Sequence, residues 1–288
     1  MSTVCRTRDE SRGEGPRLLI PLMVLFTIGS WAGGARAESG LPLFDAHIHY
    51  NREAWESFPP EEAIAILDRA GVVRALVSST PDDGTLRLWE QAPDRIIPEL
   101  RPYRSRRDIG TWTKDPSVLA YVAERVRRGI YRGIGEFHLS GEEANDPVPR
   151  GFVELASRHG VLLHCHCDEK AIGDLAGMAK GIRLLWAHAG MDSSPQAVEK
   201  LLDAHSNLWV ELSIRTDISP GGDLEPAWRD LFLKYPDRFL VGTDTWINPQ
   251  WERMPEILDG FRNWLRRLPP DVAEKIARRN GDLLFPPR

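Results

Sequence analysis

Cysteine is scarce here, three in 288 residues, which excludes a small scaffold held by disulfides. An excess of positive charge is also missing: 37 Lys and Arg stand against 42 Asp and Glu, a formal net charge of −5. Such a surface does not draw in nucleic acid by bulk charge. Beyond the N-terminal segment no apolar run approaches the ~20 residues of a membrane-spanning helix. No G-x-G-x-x-G follows the first apolar strand, so a dinucleotide fingerprint is absent. What remains, 42% hydrophobic and 27% charged, is neither a disordered chain nor a collagen-like fibre.

The first forty residues stand apart. Arg6, Arg8, Arg12 and Arg17 precede a mostly apolar stretch from Leu18 to Trp31, and small residues then lead to Ala35-Arg36-Ala37. A charged start, a short apolar core and an A-x-A site have the layout of a secretory signal peptide, with an uncleaved anchor helix as the alternative. Residues 1–37 are therefore expected to direct export, to a bacterial periplasm or outside the cell, and residues 38–288 to form the working domain. Cleavage removes five basic and three acidic residues and leaves a net charge near −7. No stable membrane insertion is expected after it. Cys165 and Cys167 then remain, two apart on a predicted strand, and are expected as free, buried thiols facing outward.

From residue 41 onward, short apolar runs alternate with amphipathic stretches. Strands are expected at 41–49, 72–78, 95–100, 133–137, 161–166, 183–188, 208–212 and 238–242, with helices between them, including 151–159, 254–268 and 271–279. Eight strand–helix units in about 250 residues have the count and size of a single-domain α/β fold, the (β/α)8 TIM barrel. A doubly wound open sheet shares the alternation but lacks its glycine fingerprint here.

In a barrel the carboxyl ends of the strands build the site. Here they carry Asp45-Ala46-His47-Ile48-His49, Glu136-Phe137-His138, His164-Cys165-His166, His188 and Thr243-Asp244. Six of the eight histidines sit at these ends; His159 and His205 sit at helix ends, where the dipole welcomes them. Strand alternation turns His47 with His49, and His164 with His166, toward one face. Neutral imidazoles gathered with carboxylates suit Zn²⁺, with Mn²⁺ or Fe²⁺ as other candidates. Glu211 shares the inward parity but is flanked by apolar residues, and it is ranked as a minor supporting residue.

This order of motifs, Phe-Asp-Ala-His-Ile-His, an acid on strand four, histidines on strands five and six and Gly-Thr-Asp on strand eight, resembles the amidohydrolase superfamily. The likeness is to its amidohydrolase-related (amidohydrolase 2) branch, with a TatD-like pattern, and spans Phe44 to Asn280-Gly281. The resemblance implies one or two divalent cations held by His47, His49, Glu136, His164, His188 and Asp244. Glu136 would serve as the acidic bridge where other members use a carboxylated lysine. Asp244 would also handle protons as the catalytic residue, and His166 would face substrate, with His138 in a weaker version of that role.

A cation-activated water would then hydrolyse an ester, lactone, amide or phosphoester. Four arginines within 101–107 are either a solvated loop or a receptor for an anionic group. Arg101 and Tyr103, nearest the strand end, are the favoured contacts to a small anionic substrate. A single-metal decarboxylase of the same superfamily and a non-catalytic metal-binding protein of the cell envelope are the competing readings.

Overall fold

A computed structural model describes residues 40–286; the expected signal segment, 1–37, lies outside them. Eight strands run β1 (Leu43–Ile48), β2 (Val72–Val77), β3 (Ile96–Leu100), β4 (Gly133–Leu139), β5 (Leu162–Cys167), β6 (Leu184–Trp186), β7 (Leu208–Glu211) and β8 (Phe239–Leu240). They pair in parallel in sequence order. Closure comes from Ala46 N–H to the Val241 carbonyl at 3.0 Å and His49 N–H to the Thr245 carbonyl at 2.7 Å. The expected (β/α)8 barrel is the observed architecture.

Helices α1 (Pro60–Arg69), α2 (Asp83–Gln91), α3 (Pro116–Val126), α4 (Pro147–His159), α5 (Glu169–Met178), α6 (Pro195–Ala204), α7 (Pro226–Lys234) and α8 (Asn248–Leu265) alternate with the strands. Proline repeatedly sits in the first turn, where a missing N–H costs nothing and its fixed φ suits entry. Helices α9 (Pro270–Glu274) and α10 (Asn280–Leu284) flank a wider-wound turn, Lys275–Arg279. The main core lies between strands and helices. A smaller cluster of Phe44, Ala46, Leu76, Ile97, Leu162, Leu185 and Leu240 packs with Leu284 and Phe285. Phe285 stacks on Phe44 with ring centroids 5.9 Å apart. No helix among the described residues is long and apolar enough to cross a membrane.

One expectation is corrected. Cys165 and Cys167 are joined as a disulfide rather than left as thiols, with Cα atoms 5.6 Å apart. Two residues of extended strand span about 6.6 Å, so the end of β5 is drawn in to the separation of about 5.5–6 Å that disulfides most often have. Both sulfurs stay on the outward face, as their parity requires.

Candidate metal and catalytic centre

Two register shifts aim the central side chains. The β1–β2 pairing slips between Asp45 and Ile48, and the β4–β5 pairing between Ile134 and Phe137. Bulges of this kind re-aim side chains beside active sites. On β4 the turn falls at Gly135, with φ +155°, where a Cβ would stand 2.5 Å from the His164 Cβ; only glycine lets the strands approach this closely. His188 and Asp244 lie just past their strands with φ of 55° and 47°. Left-handed backbone at non-glycine residues costs on the order of 1–3 kcal/mol and persists where surrounding contacts over-determine it.

Hydrogen bonding fixes the tautomers. His47 Nδ1 donates to Glu211 Oε2 at 3.1 Å, and His49 Nδ1 to the Ser78 carbonyl at 2.9 Å. His164 Nδ1 donates to Glu99 Oε2 at 3.1 Å. Ser213 Oγ gives its proton to Glu211 Oε2, so it accepts from His188 Nδ1 at 2.8 Å. A neutral imidazole carries one proton. In their neutral forms all four rings therefore present a bare Nε2.

These lone pairs have almost nothing to accept from. His47 Nε2 and His49 Nε2 face one another at 3.1 Å, and Nε2 of both His164 and His188 is buried without a hydrogen-bond partner among the described residues. Glu136 Oε2 lies 3.6 Å from His47 Nε2 and 3.3 Å from His49 Nε2; Asp244 Oδ1 lies 3.5 and 3.4 Å from the same two atoms. Four ligands at ~2.1 Å from a tetrahedral cation are separated by about 3.4 Å. The donor set therefore fits a divalent cation, and the facing lone pairs give it a physical reason to bind there. The other oxygen of Glu136, Oε1, lies 3.4 Å from His188 Nε2.

Charge follows the same logic. Burial disfavours the ionised carboxylates, yet the imidazoles, His47 foremost, outweigh it. Glu136 is held well below the usual carboxylate range and Asp244 is brought down to about 2. Burial opposes a proton on His47 as well, but Asp244 and Glu136 raise its pKa well above 6.5.

The other expected site residues separate. His164 is fully buried beside His47, ring centroids 4.7 Å apart, and the carboxylate it pairs with is Glu99 rather than Glu136 or Asp244. His166 and His138 line the cavity above the centre, and His166 Nδ1 donates to Glu136 Oε1 at 2.9 Å. Arg101 also lines it, but its guanidinium is committed to Glu136, to Oε2 at 2.9 Å and to the carbonyl at 3.3 Å. Tyr103 does not line that cavity; it is fully buried, with its hydroxyl on His138. Burial holds His138 neutral, its pKa lowered to about 4.

Sequence reasoning overlooked Glu99, Ser78 and Ser213 and undervalued Glu211, which together orient the four imidazoles. The signal available was a lone acid inside an apolar buried strand, which must find a partner. Asp45, part of the strand-one motif, is a further fully buried acid. It accepts from the N–H groups of His47 and Thr243 and from the Thr243 hydroxyl, and burial pushes its pKa up to about 7.

A barrel whose strand ends gather imidazoles and carboxylates around one point defines a class, and the comparisons agree with it. The amidohydrolase family profile matches residues 44–285, and the chain belongs to the amidohydrolase family, an enzyme of the metal-dependent hydrolase class. No curated protein sequence is significantly similar to it. Among solved structures, a candidate 2-pyrone-4,6-dicarboxylic acid hydrolase from Pseudomonas putida is similar over 85% of this chain and 97% of its own, at 16% identity and TM-score 0.61. A candidate for the same activity from Acinetobacter baumannii, with citric acid bound, covers 84% and 98% at 15% identity and TM-score 0.56. The phosphotriesterase homology protein of Escherichia coli, with phosphate in its active site, covers 85% and 98% at 10% identity and TM-score 0.57. At these identities the likeness is one of fold.

Proposed function

We propose that the protein hydrolyses an ester, lactone, amide or phosphoester bond in a small anionic substrate, using a water activated at one centre. The observation that carries this reading is the group of four ligand atoms from His47, His49, Glu136 and Asp244, 3.1–3.6 Å apart in the pairs measured. A divalent cation there, with zinc best suited to imidazole and carboxylate donors, supplies Lewis acidity that brings a water's pKa down to roughly 7.

The chain's own groups do the rest. Asp244, ionised and at the cavity floor, takes the water proton and returns it to the leaving group. Glu136, pinned by Arg101 and His166, holds its carboxylate between His49 and His188. Above them a cavity of about 280 Å³ is bordered by Arg106, Ile109 and Trp246. Among the described residues Arg106 is exposed and paired only with exposed Glu53, so it is a guanidinium able to exchange onto a substrate anion. Ile109 and Trp246 offer that substrate an apolar face. The anions in the names and ligands of the similar structures support an anionic substrate.

A lyase of the same family remains the second reading. It is favoured by one observation, the pairing of His164 with Glu99 instead of Glu136, which suits a single cation better than two. Release of CO₂ from an aromatic carboxylate would identify it. Export to the bacterial envelope is proposed from the N-terminal segment, and the Cys165–Cys167 disulfide suits an oxidising compartment.

The test is Asp244→Asn. Loss of the base is expected to lower turnover of lactone and ester probes about 10²–10⁴-fold while bound metal stays substantial. Full activity in that variant refutes the assignment.

A further inference from the structure

Of the six histidines at the strand ends, five donate from Nδ1, to Glu211, the Ser78 carbonyl, Glu99, Glu136 and Ser213. His138 is the exception. Its backbone N–H donates to the Tyr103 hydroxyl at 2.8 Å, and the same hydroxyl lies 3.0 Å from its Nδ1. Tyr103 is fully buried, and among the described residues its oxygen has no other partner. A phenol has one proton to give. With the backbone N–H already donating to the oxygen, that proton goes to His138 Nδ1, because a second donor there would leave the hydroxyl proton buried and unpaired, at a cost of about 1–3 kcal/mol. The imidazole proton of His138 therefore sits on Nε2.

This arrangement is rigid. Tyr103 packs edge-on against Trp112, with centroids 6.4 Å apart, and Trp112 donates its indole N–H to the His138 carbonyl at 3.1 Å. Nδ1 is turned back onto Tyr103, so Nε2–H is the edge the ring offers to the cavity it lines with Glu136, His166 and Asp244. The His138 ring lies 4.5 Å from that of His166, and one nitrogen of each ring and a Glu136 oxygen lie within 4.8 Å of one another. Neither nitrogen of His138 keeps a free lone pair, so the ring is a donor and not a cation ligand.

We propose that His138, locked by Tyr103 as its neutral Nε2–H tautomer, donates the hydrogen bond that stabilises the oxyanion formed during hydrolysis, with Tyr103 as its positioning residue. This rests on the hydrolytic reading of the same cavity. Water oxygen bonds to the carbonyl carbon and its proton passes to Asp244. The carbonyl π pair moves to oxygen, and that oxyanion accepts from His138 Nε2–H, whose proton stays on nitrogen. Collapse restores the carbonyl, breaks the bond to the leaving group, and returns the proton from Asp244 to the departing atom. A neutral donor fixed before reaction needs no reorganisation as charge develops.

The first test needs no turnover. Nitrogen-15 spectra of imidazole-labelled protein, with His138 assigned by its absence from His138→Gln, should show the proton on Nε2, and Tyr103→Phe should convert this to a mixture of tautomers. A proton on Nδ1 in the wild type overturns the proposal. The second test uses 4-nitrophenyl acetate and dihydrocoumarin as probes. His138→Leu should lower kcat about 10²–10³-fold, the cost of removing one oxyanion donor, with KM within about threefold and bound zinc unchanged. His138→Gln, which keeps an N–H donor, should recover at least tenfold of that loss. Unchanged kcat in His138→Leu, no rescue by glutamine, or loss of zinc would each overturn the role. A wild-type protein with Nε2–H but no hydrolysis of either probe would remove the oxyanion role through failure of the hydrolytic reading, and leave the tautomer assignment standing.

Discussion

Replacing Glu211 by glutamine tests whether the cation site is organised from beneath. Glu211 is fully buried; its Oε2 accepts from His47 Nδ1 at 3.1 Å, the His188 backbone N–H at 3.2 Å and the Ser213 hydroxyl at 2.8 Å, and its Oε1 accepts from the Ser213 N–H. Glutamine has a single acceptor oxygen. In its better orientation that oxygen meets the three donors, and the amide nitrogen then faces the Ser213 N–H, donor against donor. One buried backbone donor is left unpaired, a loss of about 1–3 kcal/mol. Relief of the carboxylate's desolvation offsets part of this, but the donors already outweigh burial, since they hold Glu211 below its ordinary pKa.

The expected net cost is about 1–3 kcal/mol, a fall in Tm of roughly 3–10 °C for a domain of this size. A depressed pKa contributes stability that is present above the unfolded value, about 4.3–4.5, and lost as pH falls through the folded one. The gap between wild type and variant should therefore close in acid. With His47 no longer held against a charge, zinc affinity should drop about 10–100-fold. Calorimetry from pH 3 to 8 and competition with a coloured chelator read both quantities. A Tm within 1 °C of wild type, with zinc affinity within about twofold, would refute the reasoning.

Further outcomes follow from single contacts. Arg101→Ala breaks a buried pair with Glu136 and should destabilise by about 3–5 kcal/mol and depress kcat, whereas Arg106→Ala should raise KM for an anionic probe and leave kcat within twofold; steady-state kinetics showing the opposite split would count against both placements. Asp45 has its pKa raised to about 7, so its contribution to stability is lost as pH rises from about 4 to 7. Asp45→Asn should escape that loss, and its Tm relative to wild type should climb across the interval. In Gly281→Ala the new Cβ would stand 2.3 Å from the Phe44 ring, and overpacking of about 1–3 kcal/mol should appear as a lower Tm in thermal unfolding.

The barrel was legible because each unit repeats the same physical statement, a buried strand followed by a one-sided helix. Ends were less so. Helix α4 begins at Pro147 and α8 at Asn248, both earlier than expected, with proline accommodated in the first turn. Strand six was expected through His188 but ends at Trp186, and the backbone then turns left-handed. The histidines and acids that crowd one rim could be found by parity alone. Their supports could not: Glu211 meets His47 across 164 residues and Glu99 meets His164 across 65, and no local pattern encodes such pairs. Arg101 and Tyr103 were placed at the right strand end, yet their partners, Glu136 and His138, turned them from substrate toward the protein.

Protons and cations compete at this centre for the same lone pairs, and the competition links its parts. The carboxylates of Glu136 and Asp244 that would attract a divalent cation are the groups that raise the His47 pKa, so they also hold a proton there. A proton shared across the 3.1 Å gap between His47 and His49 answers only one pair of nitrogens. A divalent charge answers those two together with Glu136 and Asp244. Binding it must expel a proton, so affinity gains with pH until His47 has lost its own.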